Sequence, residues 1–271
     1  MSETHQHTGG WDAEWSALHT TFEEPAQPWI ALCERVKAQF VLQVAGGIRG
    51  KSVLEVGCGG AVASCHLAKS GARITAMDRS EAALALARRN FAKAGVRARA
   101  VVGDAEAIPG RGGYDLVMSF GLLEHFDDPS PAMREMARVL RPGGLLFAEV
   151  VPRKLSIQSL ANIWNAGLKI VVFGATFRFR RLATSLRHQL PDYHESRFGP
   201  ERYAEILLRL GLTAEAAPAE PFPRLSLPVF LARKYAAWGD RRASVWAAFR
   251  LRRDAGAFRR AAAFYVWGHK T

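Results

Sequence analysis

The chain has 271 residues, with 37 Lys+Arg against 25 Asp+Glu, and its three cysteines (Cys33, Cys58, Cys65) fit neither a disulfide framework nor a zinc-ligand spacing. No secretory leader and no run of 18 uncharged apolar residues is present, so a cytoplasmic protein in a reducing compartment is expected, and a membrane span is not. The net charge of +12 is unevenly placed: residues 1–150 carry 16 basic and 17 acidic side chains, whereas residues 151–271 carry 21 and 8, hence +13.

Helical patterning comes first along the chain. Trp11, Trp15 and Leu18 fall on one helical face, and Leu32, Val36 and Phe40 on another, so residues 1–45 read as an N-terminal helical cover. His5 and His7 precede it without companions at ligand spacing. Ala45-Gly-Gly-Ile-Arg-Gly-Lys51-Ser52 satisfies a relaxed phosphate-loop pattern, with Ala in place of the first Gly. Such a loop must follow a strand and open a helix, so that helix-terminal N–H groups point at the anion. Lys51 and Ser52 instead run straight into a strand, and ATP binding is set aside.

Val53, Leu54 and Val56 form the continuous apolar run of a buried parallel strand. Gly57, Gly59 and Gly60 then permit a sharp turn and a close backbone approach to a ligand, and Ala61–Ser70 suits a helix. Strand, glycine turn and helix make the nucleotide-binding corner of a doubly wound sheet. A dinucleotide fingerprint needs Gly or Ala at position 62, where Val62 stands. What is present is Glu55, two places before the first glycine. Arg73–Asp78 reads as a second strand ending in a carboxylate able to accept both hydroxyls of a ribose. Ser80 is a suitable N-cap for a helix through Asn90. Ala98–Val102 forms a third strand leading into Gly103-Asp104-Ala105-Glu106-Ala107-Ile108-Pro109, and Tyr114–Phe120 forms a fourth. Arg138-Val-Leu-Arg-Pro-Gly-Gly-Leu-Leu-Phe147 supplies the helix, turn and strand that close the fifth.

Together these segments resemble the class I S-adenosylmethionine (SAM) methyltransferases, across residues 50–151 with a weaker echo at 194–217 and 262–269. The resemblance implies an α/β fold: a seven-stranded Rossmann-like sheet with helices on both faces, and a SAM-binding core at 46–151. It casts Glu55-Val-Gly57-Cys-Gly59 as the family's motif I, with Ala61 in the third glycine's place. It implies that Glu55, Gly57, Cys58, Gly59, Asp78, Arg79, Asp104, Ala105 and Phe120 line the SAM site, with Asp104 meeting the adenine amino group.

Leu122-Leu-Glu124-His125-Phe-Asp127-Asp128-Pro129 follows the fourth strand, where ligands of open α/β sheets bind. His125 and Glu124 are therefore candidates to take an acceptor's proton; substrate positioning, cofactor contact and a structural hydrogen bond stay open as other roles. With the later Leu-x-Pro-Gly-Gly-x-x-Phe and His194-Glu-Ser-Arg-Phe198-Gly-Pro200-Glu201, this stretch is similar to the ubiquinone-biosynthesis O-methyltransferases. Those enzymes methylate a prenylated catechol at the membrane surface, some with a divalent metal on a Glu-x-x-Glu-His cluster. His194 joins the catalytic candidates through this likeness. Gly121 stands where the first Glu of the cluster would be, so no metal is expected.

Residues 152–271 read as the C-terminal part of the same domain, with last strands at about 212–217 and 262–269 and two insertions that would form a helical cap. The first, about 152–191, contains an amphipathic helix (Leu160, Ile163, Trp164, Gly167, Leu168, Val171, Val172, Ala175), then Phe177-Arg-Phe-Arg-Arg181. The second, about 223–258, sets Leu231, Tyr235, Trp238, Val245, Trp246 and Phe249 among Arg233, Lys234, Arg241, Arg242, Arg250, Arg252 and Arg253. The basic excess fits an anionic partner or base-composition bias. The expected function is methyl transfer from SAM to a small molecule, foremost a hydroxyl on an apolar, lipid-like or aromatic metabolite, with peripheral contact to an anionic membrane. Ser119-Phe-Gly-Leu stands where base-modifying enzymes carry their Pro-Pro motif, and no Pro-Cys dipeptide exists, so nucleic acid is not the expected partner. An RNA methyltransferase and a non-catalytic SAM-binding protein are the alternatives.

Overall fold

The computed structural model describes residues 11, 12, 15, 22, 28–152, 156–175, 196–223, 225 and 227–271. His5, His7, Leu18, Phe177–Arg181 and the candidate His194 lie outside them. Among the described residues seven strands run: β1 (Ser52–Val56), β2 (Arg73–Asp78), β3 (Ala98–Val102), β4 (Tyr114–Phe120), β5 (Leu140–Val150), β6 (Glu215–Pro218) and β7 (Phe264–His269). They form one sheet in the order β3-β2-β1-β4-β5-β7-β6. The first five are parallel, and β7 runs antiparallel between β5 and β6.

Alternation along the strands divides the core into two layers. On one face Val53, Ile74, Leu116, Met118, Phe147 and Tyr265 pack against α1 (Pro28–Val44), α2 (Val62–Lys69) and α3 (Glu81–Ala94). On the other, Leu54, Val56, Val117, Leu146 and Val266 pack against α4 (Ser130–Val139) and α6 (Pro200–Arg209). Each fully buried aliphatic side chain contributes about 1.5–3 kcal/mol. The architecture is the seven-stranded Rossmann-like methyltransferase sheet with helices on both faces.

Further helices are α5 (Ile157–Ala175), α7 (Val229–Asp240), α8 (Ala243–Leu251) and α9 (Ala255–Arg260). Three elements depart from expectation. α3 runs four residues past Asn90, because Phe91 and Ala94 continue its buried stripe until Gly95, in the left-handed region at φ 68°, ends it. β6 begins at Glu215, since Leu212 joins the sheet only by a single bridge to Lys270. Among the described side chains of α5, Ala161 and Asn165 are buried, while Ile163 (72 % exposed) and Trp164 (59 %) of the expected apolar stripe face outward.

Candidate active site

The glycine loop joins the carboxyl end of β1 to α2. Gly57 (φ 65°) and Gly59 (φ 48°) adopt the left-handed backbone that favours glycine, and both are also pressed from outside. A β-carbon on Gly57 would meet the Leu122 side chain, and one on Gly59 would run into the indole of Trp15. Ala61 adopts the same left-handed region (φ 51°) as the N-cap of α2 and donates its N–H to the Cys58 carbonyl at 2.7 Å. Cys58 is buried behind the loop, its N–H on the Met77 carbonyl, and burial pushes its thiol well above the ordinary range. Glu55 is only 3 % exposed and accepts a hydrogen bond from Ser64 of α2. It thus ties β1 to the helix after the loop, and burial raises its carboxyl to about 8.

Asp78 ends β2 beside this loop. Its Oδ2 accepts from the Gly59 N–H at 2.9 Å and its Oδ1 from the Ser80 N–H at 3.0 Å. Burial raises its pKa, and those two backbone donors oppose the rise. Ser80 caps α3 by accepting from the Ala83 N–H, and its hydroxyl donates to Asp12 of the N-terminal cover. Just past the paired ends of β2 and β3, Arg79 pairs with Asp104 at 3.7 Å; both side chains are about a third exposed or more, so the pair adds little stability. Asp104 also accepts from the Glu106 N–H at 2.9 Å, while Ala105 is buried against the opposite core layer.

Beyond β4 the chain turns through a 3₁₀ segment, Leu123–His125, that sends neighbouring side chains apart. Glu124 faces inward: it is 6 % exposed, its Oε1 accepts from the Val151 N–H at 3.2 Å, and its Oε2 is buried without a hydrogen-bond partner. Burial raises its carboxyl to about 8. The His125 ring instead meets Trp11 edge-on, with centroids 4.9 Å apart. Phe120 lies under Lys37, whose ammonium sits 4.8 Å from the ring centroid. Lys37 comes from α1 and pairs with Glu149 on β5 at 2.8 Å and with Glu34 at 3.0 Å.

Residues 54–148 match the methyltransferase domain family. The ubiquinone biosynthesis O-methyltransferase of Shewanella halifaxensis is 38% identical over 122 residues, 44% of this chain and 52% of that one. Its namesake from Bordetella avium is 33% identical over 144 residues, 52% of this chain and 60% of that one. The chain thus spans between half and two thirds of the length of these curated relatives. Among solved structures, magnesium protoporphyrin IX methyltransferase from Synechocystis PCC 6803, with bound SAH, superposes with a TM-score of 0.56 at 14% identity, covering 98% of this chain and 96% of that one. That likeness speaks for the fold. Residues 54–148 thus carry a methyltransferase domain, similar to those of the class I SAM-dependent enzymes.

The cofactor of this methyltransferase class is SAM, and the residues fit it. The loop backbone at Gly57 and Gly59 leaves no room for a side chain, and Asp78 presents a half-buried carboxylate beside it. Arg79 and Asp104 pair with each other at the ends of the neighbouring strands β2 and β3. Glu55 and Cys58 support the loop from behind. Neither Leu122 against Gly57 nor the Lys37–Glu149 pair, whose partners lie far apart in the chain, leaves a local sequence signal. The tryptophans of the N-terminal cover are visible in the sequence as a helical face, but not their landing points on Gly59 and His125. Among the described residues, no group of three or more His, Cys, Asp or Glu is placed to hold a metal ion.

Proposed function

We propose that this protein transfers a methyl group from SAM to a hydroxyl on an apolar small molecule, lipid-like or aromatic. When bound, SAM supplies an electrophilic methyl; the protein must align the acceptor, exclude water and take its proton. The observation that carries this reading is the placement of His125 past the carboxyl end of β4 with Trp11 against its ring. Such a position suits an imidazole that receives the hydroxyl proton beside an apolar side chain. Glu124, turned inward with its proton held by burial, acts as a neutral partner buttressing the end of β5. The relatives' role in ubiquinone biosynthesis favours a phenolic acceptor with an apolar tail. A helical cap from insertions 152–191 and 223–258, and His194 as an acceptor-side candidate, belong to this proposal.

A screen of catechols and prenylated phenols with methyl-labelled SAM tests this reading. His125→Ala should slow transfer about 10²–10⁴-fold while SAM affinity holds. Label entering RNA but no hydroxyl compound would overturn it. Contact with an anionic membrane belongs to the same proposal. Ile163, Trp164, Phe230 and Leu251 are exposed on α5, α7 and α8 of the basic part, and no described helix is long and apolar enough to cross a bilayer. Flotation with anionic liposomes should succeed at low salt and fade as salt screens the attraction.

A further inference from the structure

A cavity of about 220 Å³ lies between the C-terminal half of α1, the end of α8 and the β6–β7 edge, lined by Gln43, Glu215, Arg250, Arg253, Trp267 and His269 among others. It is remote from the cleft. His269 pairs with Leu145, Leu145 with Leu116 and Leu116 with Val53, so the cavity sits toward the amino end of β1, opposite the glycine loop.

Arg250 is the unusual group in it. It is only 7 % exposed, yet it has no carboxylate partner among the described residues. Nη2 reaches the Val36 carbonyl only at 3.4 Å, and Nε is buried without a hydrogen-bond partner. Aromatic faces surround it instead: Phe40 at 4.7 Å, Tyr265 at 5.6 Å and Trp246 at 5.7 Å. Ring faces attract a cation but leave its N–H donors unused, and a buried guanidinium with spare donors is costly unless an anion meets them. A second guanidinium, Arg253, stands exposed at the rim, 5.8 Å from the Trp267 ring and bonded to the Arg250 carbonyl. The carboxylate on the wall, Glu215, is engaged by the Trp267 indole N–H at 3.3 Å.

We propose that this cavity binds a phosphate group, held between Arg250 on its floor and Arg253 at its mouth. The planar fork of an arginine matches phosphate oxygens, and two such forks outweigh the occupied carboxylate of Glu215. The group is either free phosphate or the headgroup of an anionic phospholipid; Leu251, 71 % exposed and on the cavity wall, offers an acyl chain a place to lie. The site stands independently of the methyl-transfer reading.

The test is calorimetric titration of the full chain with inorganic phosphate at constant ionic strength, beside flotation with phosphatidylglycerol and phosphatidylcholine vesicles. Saturable phosphate binding should be lost in Arg250→Lys and weakened at least tenfold in Arg253→Ser, with SAM affinity unchanged as the check on folding. If Arg250→Lys does not fold, the exposed Arg253→Ser carries the test. Capture by phosphatidylglycerol vesicles that falls in the same variants assigns the phosphate to lipid; phosphate binding without vesicle capture assigns it to the free anion. Absence of saturable phosphate binding, or binding unchanged in Arg253→Ser, overturns the proposal.

Discussion

Trp15 lies across Gly59, its indole filling the space where a β-carbon at that position would stand. Trp11, Asp12 and Trp15 thus bring the N-terminal part of the chain against His125, Ser80 and the glycine loop. Gly59→Val should abolish SAM binding, since the new side chain collides with Trp15 at a backbone angle that disfavours it. Trp15→Ala should weaken SAM about tenfold, ~1.4 kcal/mol. Calorimetry measures both, and unchanged affinity in Gly59→Val refutes the site.

Asp78 uses both carboxylate oxygens on backbone donors, one from the glycine loop and one from the start of α3. Asparagine keeps a single acceptor and turns an NH₂ toward the other N–H. Asp78→Asn should therefore cost SAM affinity tenfold or more, about 1–3 kcal/mol for an unsatisfied buried donor. Equal affinity for SAM in wild type and Asp78→Asn would count against a ribose contact.

Glu55 and Glu124 both sit near pKa 8 in the folded chain because burial disfavours their ionised forms. Around Glu55 stand Ser64, Glu34, Lys37 and Asp78; around Glu124, the Val151 N–H, Glu149 and Lys37. Unfolded, each carboxyl titrates near 4.5, so between about 4.5 and 8 the folded chain holds protons that the unfolded chain has released. Their stabilising contribution is fully present below about 4.5 and is lost as pH rises through about 8. Glu124→Gln, which stays neutral at every pH, should flatten the fall of Tm between about pH 5 and pH 8. Thermal melts across that window decide it, and an unaltered slope would remove Glu124 as a contributor.

Ala61 holds a left-handed conformation while buried, a position where the family motif places glycine. Ala61→Gly should change stability by less than about 1 kcal/mol, since relieved strain and added chain entropy offset each other. Ala61→Val should cost about 2–3 kcal/mol, because a β-branched side chain tolerates this backbone poorly. Urea denaturation compares the two.

The bounds of β2 and β4 were readable from the chain because largely buried parallel strands are apolar runs closed by glycine or charge, as Arg73–Asp78 and Tyr114–Phe120 are. The loop at Gly57–Gly59 was readable for a related reason: local backbone demands leave local residue types. Contacts made by tertiary packing left no such trace. Lys37 looks like a solvated helix position until α1 lies over the end of β5 and brings Glu149 to it. The apolar stripe of α5 was legible, yet the side it buries was not, because periodicity defines a face without saying what covers it. Glu124 and His125 are adjacent in sequence, and only the 3₁₀ turn shows that one points into the core and the other toward Trp11.

The position of β7 governs the order in which the molecule can be assembled. β6 reaches the sheet only through β7, so Glu215–Pro218 has nowhere to pair until Phe264–His269 has been synthesised. Until the ribosome has passed Trp267, β5 is an open border with its backbone donors and acceptors unclaimed, a template for pairing with another nascent chain. Arrested translation between β6 and β7 is therefore the moment at which this protein is most exposed to aggregation.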